Sequence, residues 1–309
     1  MAVRLFIRRG LQFAAAMLAY LVIFVLTYAL LIPPAPGGPA EAEPSSGLAL
    51  GAVAALNVAV IGWLLVRSRR HGWRLAATMA LVFYAVQTFL PQLEALIFPA
   101  FARHLPPGTL RGILLAGLAH ALLWMPIAVL AFGKWRPDQH ALTAVTRSRP
   151  ALRGWQWRLP LAMAAYVALY FTFGYYVAWR NPAVTAYYGG QDPGTFLAQL
   201  QSVWAETPWL FGAQALRGLL WVLVALPVIR SLERTPGETM LAIGLLFAVV
   251  MNAGLLLPNP YMPPEVRLTH LVETASANLL VGALVGWLFS TRTGDEHANL
   301  VRDSAPAGA

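Results

Sequence analysis

The chain reads as an all-α integral membrane protein with eight transmembrane helices. Three observations predict this. Of its 309 residues 58% are hydrophobic and only 11% are charged, where soluble domains carry about a quarter charged residues; the mean hydropathy is +0.60. Its apolar runs are long enough to cross a bilayer, which takes about 20 residues of helix. Those runs are continuous, as in LVIFVLTYALLI and LLWMPIAVLAF, whereas barrel strands alternate apolar and polar. Backbone groups in lipid must be satisfied internally, so unbroken apolar runs mean helices.

The first span, Leu11–Ile32, follows the basic start MAVRLFIRRG and imitates a signal peptide. Its run exceeds the roughly 7–15 residues of a signal core, so it reads as a retained anchor. Then come Leu48–Val66, Leu75–Phe98, Leu110–Phe132 and Leu159–Trp179, followed by Leu210–Ile229, Thr239–Leu257 and Leu268–Phe289. Of the 22 basic residues, Arg103, Arg111, Arg180 and Arg267 fall in connections on one side, and Arg217 lies inside a span. All the others lie on the side of the N-terminus, which the positive-inside rule makes cytoplasmic. Both termini are therefore expected inside, in an inner membrane. The preference for Arg over Lys, with abundant Ala, Gly and Pro, points to a GC-rich bacterial genome.

The connections divide the chain into a first four-helix bundle (1–132), a basic cytoplasmic linker (133–158), a second four-helix bundle (159–290) and a disordered tail (291–309). The linker mixes Lys134 and arginines with Trp135, Trp155 and Trp157, a composition suited to anionic lipid headgroups rather than to nucleic acid. Outside, Pro33–Gly47 is a flexible, weakly acidic loop. In the longer outer connection, Asp192-Pro193 is expected to start a helix. Phe196, Leu197, Leu200, Val203 and Trp204 fall on one face of it, as in an amphipathic helix at the membrane surface. It serves as a packed connector or as a lid.

The two halves resemble each other. AMLAYLVIF in the first span matches AMAAYVALY in the fifth, LLVRSRR matches PVIRSLER, and PPGTLR before the fourth span matches PPEVR before the eighth. Both halves begin on the same side, so a 4+4 duplication would be parallel, with its axis along the membrane normal. Gly282 and Gly286, and likewise Gly47 and Gly51, are spaced to let helices approach closely.

Polar residues inside the spans are the candidate site, because ionisable groups in lipid are costly. By about 1.5 Å per residue, Glu94, Arg217, Asn252, Glu273 and Asn278 all lie within about 15 Å of the outer ends of their helices. Gln87 and Gln214 add amides, and His270 heads the eighth span in the stretch HLVETASAN. These eight residues are the candidate binding set. Gln87 and Glu94, seven apart, should share a face, and His270, Glu273, Thr274 and Asn278 fall within one arc. Pro91 frees the carbonyl of Gln87 and so invites a local break. His120, near the midplane of the fourth span, is a candidate proton relay.

Plainer readings exist for each of these. A buried Arg217 needs a carboxylate, so its pair with Glu94 or Glu273 also reads as a latch; His270 also suits an interface; the asparagines and His120 also suit helix packing. With no Cys, thiolate metal sites and disulfides are excluded. There is no HExxH, no paired-glutamate motif of the membrane CAAX-type proteases, no serine elbow and no P-loop. No metal or cofactor is implied. A polar cavity between two bundles, with a cation and protonatable carboxylates, suits binding or transport of a small molecule or lipid headgroup. The same cavity suits an enzyme on a lipid-linked substrate, with Glu273 and His270 as acid and base. A non-catalytic assembly subunit is the third class.

Overall fold

The computed structural model describes residues 2–33, 44–97, 105–137, 154–192, 194–232 and 235–290. The tail 291–309, most of the linker 133–158, most of the loop 33–47 and Pro193 lie outside the described residues.

Eight helices are long and apolar enough to span a membrane: α1 (Phe6–Leu31), α2 (Ser46–Arg67), α3 (Gly72–Leu96), α4 (Thr109–Ala131), α5 (Trp155–Trp179), α6 (Trp209–Ile229), α7 (Pro236–Leu256) and α8 (Pro264–Ser290). Each coincides with an expected span to within a few residues. The described residues are otherwise short helices and loops, with a single isolated strand-like bridge between Ser68 and Leu232.

Helices start and stop where the chain supplies local partners for free backbone groups. Thr235 caps α7 by accepting from Glu238 N at 3.3 Å, with Pro236 following it. Asn181 caps a short helix, Pro182–Tyr188, by accepting from Ala183 N at 2.9 Å; Gly189 ends it in the left-handed region. The expected helix start at Asp192-Pro193 is corrected. Asp192 Oδ1 accepts from Gly194 N (2.9 Å) in a tight turn, and Thr195 is the cap, accepting from Ala198 N at 3.1 Å. The helix that follows, Phe196–Glu206, has no buried residue; Leu197 and Trp204 are exposed, consistent with a surface position.

Helix pairing follows a regular scheme. In the first half α4 packs on both α1 and α3, and α1 touches α2; in the second α8 packs on both α5 and α7, and α5 touches α6. Between the halves α2 meets α7, α3 meets α6, and α3 meets α7. The core runs through these contacts, with Ile61, Leu64, Phe83, Trp124, Trp221 and Phe247 all fully buried. The outward sides of α1, such as Leu18, Val22 and Leu26, are exposed and apolar, as a lipid-facing surface would be.

The α7–α8 contact is close. A β-carbon on Gly282 would lie 2.6 Å from the Ile243 carbonyl oxygen, and one on Gly286 would lie 2.7 Å from that of Thr239. Only glycine permits that approach. Gly47 and Gly51, expected to act likewise, have nothing within 4 Å among the described residues, so their spacing is not used there.

Three of the spans contain a wide π-helical turn: Ala85–Phe89 in α3, Gly174–Trp179 in α5 and Leu246–Val250 in α7. The first lies just before Pro91, where the expected break falls. Such turns concentrate at functional sites.

The two faces of the bundle differ. On the face carrying the start of α1 and the end of α8, the halves are tied by the Ser68–Leu232 bridge and by Arg69 N donating to Ser231 O at 2.8 Å. The opposite face, here the far face, holds the α5–α6 connection and the α7–α8 loop.

Candidate functional site

Arg217 on α6 is the buried charge from which the site is built. It is 4% exposed and pairs with Glu94 on α3, the closest ion pair between the two halves among the described residues. Its Nη1 also donates to Gln214 Oε1 (3.1 Å), one helical turn earlier, and its Nη2 to the Leu90 carbonyl (3.4 Å). Its guanidinium lies 5.8 Å from the ring centre of Tyr166 on α5. A cation removed from water needs this many partners.

Gln87 and Glu94 bond in different directions: Gln87 Nε2 donates to Tyr20 Oη at 2.8 Å in the first half, while Glu94 reaches Arg217 in the second. Both line the larger of the two cavities described below.

A second cluster forms on α8. His270 Nδ1 lies 2.7 Å from Glu273 Oε2, and its Nε2 lies 3.1 Å from Tyr188 Oη. Burial pushes the Tyr188 phenol well above its ordinary pKa, so it stays protonated. Its hydroxyl, the imidazole and the Glu273 carboxylate form one hydrogen-bonded chain. Gly174 in the α5 wide turn leaves room beside this carboxylate; a β-carbon there would sit 3.6 Å from Glu273 Oε1.

Asn252 and Asn278 bind α7 to α8. The Asn252 amide donates to the Ala248 and Phe247 carbonyls (2.8 and 3.4 Å) in the α7 wide turn. Its oxygen faces the Thr274 hydroxyl, which is shared with the His270 carbonyl (2.5 Å). Asn278 Nδ2 lies 2.7 Å from Met251 Sδ.

Two cavities meet at these groups. An inner chamber of about 100 Å³ is lined by Glu94, Arg217, His270, Glu273 and Asn278, with Tyr166, Tyr170, Phe173, Trp179 and Tyr188 forming aromatic walls. A larger vestibule of about 560 Å³ runs from the far-face ends of α1, α3 and α4 to the α7–α8 loop. Glu94, Tyr188, Met251, His270 and Thr274 line both. The lid-like element is the Pro182–Tyr188 helix, whose Val184 and Tyr188 line the chamber; no residue of Phe196–Glu206 lines either cavity.

The structure thus brings Glu94, Arg217, His270, Glu273 and Asn278 around the chamber, with Gln87 and Asn252 on the vestibule wall, while Gln214 lines neither cavity and is fully buried beside Arg217. His120 stands apart. It is fully buried in the first half, its ring 4.5 Å from that of Tyr20 and 5.6 Å from that of Phe83, and neither nitrogen has a hydrogen-bond partner among the described residues. Sequence reasoning missed Tyr188, Tyr166 and Tyr170. Only Tyr188 carried a signal, the Asn-Pro start and Gly-Gly stop of NPAVTAYYGG, which mark a short helix. Among the described residues no group of three or more His, Asp or Glu side chains could hold a metal ion. No family model, curated protein or solved structure matches this chain.

Proposed function

We propose that the protein binds a small polar molecule or a lipid headgroup in the chamber and moves it across the membrane. The observation that carries this reading is the wall the two cavities share: Glu94, Tyr188, Met251, His270 and Thr274 line both, so a cluster of ionisable side chains deep among the helices adjoins a vestibule at the far face. Charged groups within membrane spans mark ligand and proton pathways more often than they contribute to folding, and sites between two helical repeats are the common plan of carriers.

Three further assignments belong to this reading. The protein lies in a bacterial inner membrane with both termini cytoplasmic, which the distribution of Arg and Lys supports; the far face is then the outer one. The bundles 1–132 and 159–290 are a parallel duplication. Supporting it, α1·α2, α1·α4 and α3·α4 recur as α5·α6, α5·α8 and α7·α8, and α2 on α7 recurs as α6 on α3. The linker 133–158 lies on anionic lipid, which its basic and Trp residues support.

One observation favours an enzyme as the second reading. Tyr188, His270 and Glu273 form a hydroxyl–imidazole–carboxylate chain, the arrangement that general acid–base catalysis on a lipid-linked substrate would use. Reconstituted vesicles decide between the two. A carrier moves its ligand across the bilayer and loses that with Glu94→Gln or Glu273→Gln while staying folded. An enzyme forms product in detergent with no gradient. Variants that match wild type in binding, transport and turnover would remove the site altogether.

A further inference from the structure

The groups in the chamber also specify the sign of what it holds. Arg217 would suit an anion, yet its Nη1 is spent on Glu94 and Gln214, and its Nη2 donates to the Leu90 carbonyl. Its unpartnered Nε is buried. Glu94 and Arg217 pair with each other, and His270 engages only Oε2 of Glu273. The carboxylate oxygen left open to the chamber is Glu273 Oε1.

Two acceptors facing the space have no donor among the described residues. Glu273 Oε1 receives no hydrogen bond among the described residues, since His270 takes Oε2. Asn278 is 5% exposed, and its amide nitrogen is spent on Met251, leaving its oxygen without a donor at the chamber surface. Around them stand Tyr166, Tyr170, Phe173, Trp179 and Tyr188. Aromatic faces attract cations through the ring quadrupole, and rings closing on a carboxylate are the usual receptor for organic ammonium groups.

Resting on the binding function proposed above, we infer that the chamber is a receptor for a primary alkylammonium group. The ammonium donates to Glu273 Oε1 and Asn278 Oδ1 and packs against the tyrosine and tryptophan rings. Size agrees. At about 100 Å³ the chamber is well below the roughly 300–1,000 Å³ of pockets for drug-sized ligands, and it fits an aminoalkyl head only. The adjoining vestibule of about 560 Å³ has room for whatever the amine is attached to. A free small amine and an aminolipid headgroup share this chemistry.

The test uses the full-length protein in nanodiscs of phosphatidylglycerol, titrated calorimetrically with ethanolamine, with uncharged ethylene glycol as its neutral isostere and with inorganic phosphate. Ethanolamine is expected to bind and ethylene glycol not. Glu273→Gln should weaken ethanolamine by about tenfold or more, the scale of one charge-assisted hydrogen bond, and Tyr170→Leu by about threefold, the scale of one cation–π contact. The second variant keeps the test sound should the first fail to fold. Native mass spectrometry from mixed nanodiscs separates the sources. Retention of phosphatidylethanolamine over phosphatidylglycerol, lost in Glu273→Gln, identifies a lipid headgroup; ethanolamine binding without lipid retention identifies a free amine. Equal binding of ethylene glycol, or phosphate binding that depends on Arg217, overturns the ammonium assignment and leaves the binding site standing. Folded protein that binds none of these overturns both.

Discussion

Replacing Glu94 by Gln keeps the shape of the side chain and removes its charge, which leaves Arg217 a buried cation with only neutral acceptors, Gln214 Oε1 and the Leu90 carbonyl. Breaking a buried pair by neutralising one member costs about 3–5 kcal/mol. Here Arg217 is 4% exposed but Glu94 is 24% exposed toward the cavity, so water already screens part of the attraction. Discounting for that, the expected loss is about 2–3 kcal/mol. At about 2–4 °C per kcal/mol, a value measured on soluble domains of somewhat smaller size, Tm falls by about 5–10 °C. Thermal unfolding in one fixed detergent and lipid mixture, followed by tryptophan fluorescence, reads this directly. The double variant Glu94→Leu/Arg217→Met should return to within about 1 kcal/mol of wild type, because apolar replacements avoid desolvating two charges. Glu273→Gln, which keeps a hydrogen-bonding group beside His270 Nδ1, should lower Tm less than Glu94→Gln while impairing ligand binding. If Glu94→Gln melts with wild type, cavity water rather than Glu94 satisfies Arg217, and the stated pairing energetics are wrong.

Other expectations follow from the same contacts. Gly282→Val forces a side chain into the α7 backbone at 2.6 Å from the Ile243 carbonyl and should cost at least about 3 kcal/mol; Gly51→Ala, with open space around it, should be silent, and equal melting of the two would refute close α7–α8 packing. His120→Phe removes two unpartnered buried nitrogens and should be neutral or stabilising by about 1 kcal/mol. Loss of transport in that variant with stability intact would instead return His120 to the proton path. Asn181→Ala deletes both the cap on Ala183 and the 2.6 Å bond to Thr269 on α8, at about 1–2 kcal/mol. Hydrogen exchange should quicken in Pro182–Tyr188 first, and an unchanged rate there would argue that packing of Val184 alone holds the helix.

The spans were legible because a membrane leaves the chain few choices. Twenty apolar residues in a row have one solution, and all eight expected spans are helices at the expected places. The polar set was legible for the same reason, since Glu94, Arg217 and Glu273 stand out against an apolar background. What periodicity could not see was the wide turn at Ala85–Phe89, because no residue there advertises an extra backbone unit before Pro91. Glycine spacing failed at Gly47 and Gly51 because a motif records what a helix can accept, not whether a neighbour arrives. Asp192-Pro193 looked like a cap, but Thr195 sits one residue before the first helical turn and won the role. Tyr188 escaped because an aromatic in a connection is ordinary in sequence and becomes specific only when His270 is found beside it.

The backbone stitch between Ser68 and Leu232 has a mechanical consequence. It fastens the two halves at one end of a stack of helices about 30 Å long, while the vestibule separates them at the other. Such a body behaves like a peg. A rotation of about 10° around the stitched end displaces the free ends by about 5 Å and barely disturbs the pivot. The ion pair of Glu94 and Arg217, part-way along the lever, then becomes the latch that any such movement must stretch or close. Spin labels beside Ser68 and Leu232 would keep one distance on ligand addition while labels at the far-face ends of α3 and α6 change theirs; equal distances at both ends would mean the peg does not move.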